Sequence, residues 1–170
     1  MPARSLTLNY VSYTDDAQLP ADELMLLQQA REATRNAYAP YSHFQVGAAL
    51  RLAGGQIVVG ANQENASFPA GICAERVALS AVAAQYPGTI IQAMAISYQP
   101  AEGLSNHPIS PCGICRQTLL EYELRQQQPI RLILGGFTGE IIVVPAVQLL
   151  LPFSFTPDDL SAKPAAPQKG

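Results

Sequence analysis

The sequence is short of charge, of cysteine and of long apolar runs, and each shortage excludes a class of protein. Charged side chains make up 14% of the 170 residues, with 10 Lys and Arg against 13 Asp and Glu, for a net charge of −3. No basic block occurs, so no nucleic-acid partner is expected, because phosphate contacts need clustered Lys and Arg. No apolar run approaches the roughly 18 residues needed to cross a bilayer, so no membrane partner is expected either. The opening MPARSLTLNYVSYTDDAQLP lacks the apolar core of a secretory signal, and a cytoplasmic location is the expectation. Cysteines number only three, an odd count that points to metal or catalysis before disulfides. What is abundant is apolar character: 48% of the residues are hydrophobic, which marks a globular chain. A single domain of this length can bury about two-thirds of its unfolded surface and needs no staples.

Residues 1–20 are polar and aperiodic and read as an arm or a disordered lead. Residues 21–160 read as one domain, and 161–170, SAKPAAPQKG, as a disordered tail. An amphipathic helix is expected over 21–37, with Leu24, Leu27, Ala30, Ala33 and Ala37 on one stripe and Asp22 as its cap. Strands are expected at 44–52 and 56–61, a hairpin around Gly54 and Gly55. Further strands follow at 90–98, 130–134 and 140–144. Helices are expected at 73–85 and 111–127, with a short one at 147–151. No internal repeat is visible. This order predicts an α/β fold of three α/β/α layers around a mixed five-stranded sheet.

The chemistry-bearing residues sit in Cys73-Ala74-Glu75 and in Pro111-Cys112-Gly113-Ile114-Cys115, both at helix starts. Cysteines at i and i+3 share a helix face, so Cys112 and Cys115 can grip one ion, with Cys73 as a third ligand. Helix N-termini favour the ionised thiols. Three protein ligands leave zinc a fourth position for water, the pattern of a catalytic site. Neither His43 nor His107 stands at ligand spacing. A C-x-x-C pair alone would equally fit a redox dithiol or buried structural cysteines. A third cysteine followed two residues later by a glutamate favours a zinc site.

These residues carry a close resemblance. AYAPYSHFQVGAAL at 37–50, NQENASFPAGICAERVAL at 62–79, SPCGICRQ at 110–117 and LLPFSFTPDDL at 150–160 resemble the small homotetrameric cytidine deaminases. The resemblance implies the cytidine deaminase-like fold, one zinc per subunit, and hydrolysis of cytidine and 2′-deoxycytidine to uridine and deoxyuridine. It implies Glu75 as the proton shuttle, beside the metal without binding it. It also implies Arg76 as the charge that offsets the thiolates, through hydrogen bonds to sulfur. Substrate contacts carry over in the same way. Asn62 and Glu64 would meet the ribose 3′-hydroxyl region, Phe44 the ring or sugar, and the backbone at Ala74 and Cys112 the edges of the base. Ala66 and Phe68 would reach a neighbouring subunit's site near the 5′-hydroxyl, and Phe155 would cover the base from another. Phe68 departs from the pattern, which commonly has Tyr there.

Three other readings compete. A deaminase of modified cytosine nucleosides shares the cysteine motifs, but Phe44 and Asn62-Gln63-Glu64-Asn65 favour ordinary nucleosides. A polynucleotide editor is disfavoured by the acidic balance. A zinc-stapled binding module has no need of Glu75.

Overall fold

The computed structural model describes residues 3–160, so the 161–170 tail expectation lies outside the described residues. Six strands form one sheet in the order β1-β6-β5-β4-β2-β3. They are β1 (Val11–Tyr13), β2 (Phe44–Leu52), β3 (Ile57–Ala61), β4 (Ile91–Pro100), β5 (Arg131–Gly135) and β6 (Ile141–Val144). Four helices accompany them: α1 (Ala21–Ala33), α2 (Ala74–Gln85), α3 (Gly113–Gln126) and the short α4 (Pro157–Leu160). Only β4 and β5 pair in parallel, and α3 makes their crossover; every other pair is antiparallel.

The three-layer α/β/α expectation holds, with six strands where the sequence suggested five. The extra strand comes from the lead. At three residues β1 is too short to show a period, and its outer side is exposed. What holds it is tertiary. Ser12 Oγ donates to Glu140 at 2.6 Å, and Asp16 accepts two hydrogen bonds from the Arg31 guanidinium at 2.5 and 2.8 Å. Other local expectations change as well. α1 stops at Ala33 and tightens into a 3-10 turn at Thr34–Asn36. Asp22 does not cap α1; it accepts a 2.6 Å bond from Arg51, which lowers its pKa. Residues 147–150 form a 3-10 turn.

Two cores flank the sheet. Leu26, Leu27 and Ala30 of α1 pack on one face, with Ala49, Ala95 and Ile133. Ala78, Leu79, Leu119 and Leu120 of α2 and α3 cover the other, with Leu50, Met94 and Ile96. Fully burying each such leucine contributes about 1.5–3 kcal/mol. Two glycines set how closely the helices approach. A Cβ on Gly47 would lie 2.1 Å from the Ala30 carbonyl oxygen, and one on Gly60 would lie 2.5 Å from both the Ala74 oxygen and the Ala78 nitrogen. α2 therefore rests its first turn directly on β3.

The buried Glu123 carboxylate fixes the far end of α3. It accepts from the backbone N–H groups of Ile130 and Val147 at 2.8 Å and of Gln148 at 3.1 Å. At the opposite end of the sheet, β3 and β4 run out into the loops that lead to α2 and α3. Both helices thus begin beside the carboxyl ends of the strands, where open α/β sheets commonly bind ligands.

Candidate active site

Cys73 and Cys112 each occupy the position before a helix, in extended backbone and with no side-chain capping bond, so their sulfurs are free to turn inward. Cys115 follows in the first turn of α3 and is buried. The Cys73 and Cys112 sulfurs lie 3.8 Å apart, and the Cys112 and Cys115 sulfurs 3.3 Å. Zinc held tetrahedrally by thiolates at ~2.3 Å separates its sulfurs by about 3.8 Å. All three are free thiols and all three sulfurs lie within 4.8 Å of one another, so the set fits one zinc ion after small side-chain adjustment. Among the described residues this is the only such cluster of His, Cys, Asp or Glu.

The thiols are not equivalent. Hydrogen bonding to Cys115 brings the Cys73 thiol down to about 6, with Cys112 and the positive charge of Arg76 acting in the same direction. Hydrogen bonding to Cys73 and burial push the Cys115 thiol up. Glu75, one residue into α2, is 4% exposed, and burial raises its carboxyl pKa. Arg76 is half-buried and acts on Cys73 through its charge; among the described residues it donates no hydrogen bond to sulfur, so that expected contact is not made.

Cys73 closes one side of an open cleft of about 300 Å³, lined also by Tyr41, Asn62, Glu64, Asn65 and Phe68. Glu64 accepts from the backbone N–H of Tyr41 at 2.9 Å and of Ser42 at 3.3 Å. Hydrogen bonding from the Ser42 side chain, then from the Tyr41 backbone, holds its carboxyl below the usual range. Asn62 accepts from the Val46 N–H at 2.8 Å and donates to the Phe44 carbonyl at 3.0 Å, which pins the start of β2. Phe68 is 76% exposed and meets Tyr41 edge to face at 5.9 Å. Ala66 is exposed on the same loop, and Ala74 is buried where α2 begins. Phe44 and Phe155 stand outside this cleft. The Phe44 ring stacks on Tyr98, and Phe155, 57% exposed, is docked through its carbonyl to Gln117 at 2.9 Å.

The family model for the cytidine and deoxycytidylate deaminase zinc-binding region matches residues 21–128. This chain belongs to the cytidine and deoxycytidylate deaminase family. Curated cytidine deaminases resemble it along most of their length. That of Halalkalibacterium halodurans is 36% identical over 82% of this chain and 98% of its own. That of Sporosarcina psychrophila is 36% identical over 80% and 93%. Among solved structures, cytidine deaminase from Burkholderia pseudomallei superposes with a TM-score of 0.65 at 39% identity, covering 77% of this chain and 97% of that one. The Mycobacterium tuberculosis enzyme gives 0.63 at 30% identity, over 81% and 99%.

Within this deaminase-family site, sequence reasoning missed several residues. Arg116 donates to the Pro111 carbonyl at 2.8 Å and to the Leu150 carbonyl at 3.1 Å, clamping the turn that delivers Cys112. Its place in P-C-G-I-C-R-Q was the available signal. Tyr41 and Asn65 line the cleft from segments already noted for their neighbours.

Proposed function

We propose that the chain hydrolyses cytidine and 2′-deoxycytidine to uridine and 2′-deoxyuridine, releasing ammonia, as a step of pyrimidine salvage. The observation that carries this reading is the buried Glu75 carboxyl at the helix start where the three thiols converge. Cys73, Cys112 and Cys115 would hold one zinc ion per subunit. When bound, zinc makes water acidic enough to add to carbon near neutral pH. Glu75 moves the protons. It takes the first from the adding water and gives it to N3 of the cytosine ring. It takes the second from the new hydroxyl at C4 and passes it to the amino group, which leaves as ammonia. Burial suits Glu75 to this exchange, because a carboxylate with a raised pKa is a stronger base towards the adding water, and a pKa closer to the working pH lets one group both take and give a proton.

Arg76 would offset the negative charge of the thiolates. Asn62 and Glu64 would receive the ribose 3′-hydroxyl region, and their support is that both line the cleft that Cys73 closes. Phe44 would pack on the ring or sugar, and the backbone at Ala74 and Cys112 would meet the base edges. Ala66, Phe68 and Phe155 would serve neighbouring subunits in a homotetramer. The high exposure of both aromatics in the single subunit supports this. Three free thiols suit the reducing cytoplasm, and no described helix is long and apolar enough to cross a membrane.

Ultraviolet absorbance tests the activity. Zinc-loaded protein should convert cytidine to uridine; chelator-stripped protein should not, and should recover when zinc returns. Loaded protein that leaves cytidine unchanged overturns the reading.

A further inference from the structure

Tyr98 is buried on β4, where alternation with Met94 and Ile96 puts it on the face that α2 and α3 cover. Its ring stacks on Phe44, with centroids 5.1 Å apart and planes 16° from parallel. Its hydroxyl shares a 3.0 Å hydrogen bond with Nδ1 of His107. Its carbonyl accepts a 2.6 Å bond from the Ser105 hydroxyl, which in turn accepts from the Phe137 N–H at 3.0 Å. The loop leaving β4 therefore folds back over Tyr98 and grips it at both the backbone and the hydroxyl. Gly136 permits this, since a Cβ there would lie 2.4 Å from the Ser105 carbonyl oxygen. The same loop then runs on to Pro111 and Cys112.

Phe44 is thus held twice. Asn62, which lines the cleft, fixes its main chain, and Tyr98 fixes its ring. An aromatic side chain that is already ordered loses less freedom when a ligand packs on it.

We propose that Tyr98, tethered by His107, is a positioning residue for nucleoside binding: it holds the Phe44 ring as a fixed wall for the substrate. The proposal rests on the reading of Phe44 as a substrate contact. A wall of this kind meets ground state and transition state alike, so it acts on KM and leaves kcat nearly constant. A merely structural role would move the melting temperature and zinc content instead.

The test is steady-state kinetics with cytidine on zinc-loaded Tyr98→Phe, Tyr98→Leu, Phe44→Leu and the double Phe44→Leu/Tyr98→Leu variant. Uridine binding by calorimetry gives a second readout. Aromatic pairs of this geometry are worth about 2- to 12-fold in equilibrium terms. Tyr98→Leu should raise KM within that range, with kcat changed less than about twofold. Tyr98→Phe keeps the ring and loses only the tether. It should raise KM less, and it decides the matter if Tyr98→Leu does not fold. The double variant should be no worse than Phe44→Leu, because Tyr98 acts through that ring. A raised KM in Phe44→Leu beside wild-type KM in the Tyr98 variants overturns the proposal alone, as does an additive double variant. Wild-type KM in Phe44→Leu overturns the reading of Phe44 and the proposal with it.

Discussion

Cys112 and Cys115 bring their sulfurs to 3.3 Å across the first turn of α3, while Cys73 approaches from the start of α2. Metal analysis should therefore return one zinc per chain. Cys112→Ala and Cys115→Ala should each lose the metal and also melt lower, because the ion ties two helices together. A drop of more than about 4 °C is expected, on the scale of 2–4 °C per kcal/mol for a chain of this size. A variant that keeps both zinc and activity shows that its cysteine is not a ligand.

Glu75→Gln should keep zinc and fold while losing turnover. The amide preserves shape and still hydrogen-bonds, but it carries no proton between water, N3 and the amine. Acid–base groups are typically worth about 10²–10⁴-fold, and Glu75 handles two transfers, so the loss should reach the top of that range. Zinc content and kcat measured on the same preparation check it; near-normal turnover removes Glu75 from the mechanism.

Gly60→Ala should damage a site it never touches. The added methyl meets the backbone of Ala74 and Ala78, so α2 must lift from β3 and carry Cys73 and Glu75 with it. Overpacking of this kind costs about 1–3 kcal/mol, roughly 2–12 °C of melting temperature here. Turnover should fall further than stability, since displacing catalytic groups by about 1 Å can cost on the order of 100-fold. Wild-type kcat in a folded Gly60→Ala protein shows that the first turn of α2 tolerates the shift.

Phe155→Ala should weaken nucleoside binding and leave zinc in place. Stacking a base on an aromatic ring is worth roughly 1–3 kcal/mol, or roughly 5- to 150-fold. Mixing Phe155→Ala with Glu75→Gln chains tests sharing between subunits. After confirmed exchange, activity should exceed the weighted mean of the two parents. A fully active monomer by light scattering, or no gain on mixing, ends the shared-site reading.

The three-layer fold and the metal cluster were legible because their signals are local. A β-rich run marked β2 and a buried-type apolar run marked β4, and the cysteine spacing at a helix start fixed which way the thiols face. What stayed hidden depends on partners distant in sequence. Gly60 reads as any strand glycine until α2 is seen resting on it. Tyr98 reads as a core aromatic, and nothing nearby announces Phe44 and His107 as its neighbours. Arg116 stood in plain view within a motif, yet its role needs the Leu150 carbonyl, 34 residues away.

The strand contributed by the lead has a consequence for handling the protein. Val11 to Tyr13 pair with Val143 to Ile141, so β6 is an interior strand of the sheet. The family match begins only at residue 21. A chain cut back to that boundary would strip β1 and Asp16 together, leaving the β6 backbone as an open template for another molecule's strand. The first symptom of such trimming would be self-association through bare edges and loss of material to aggregates, with the catalytic groups themselves intact.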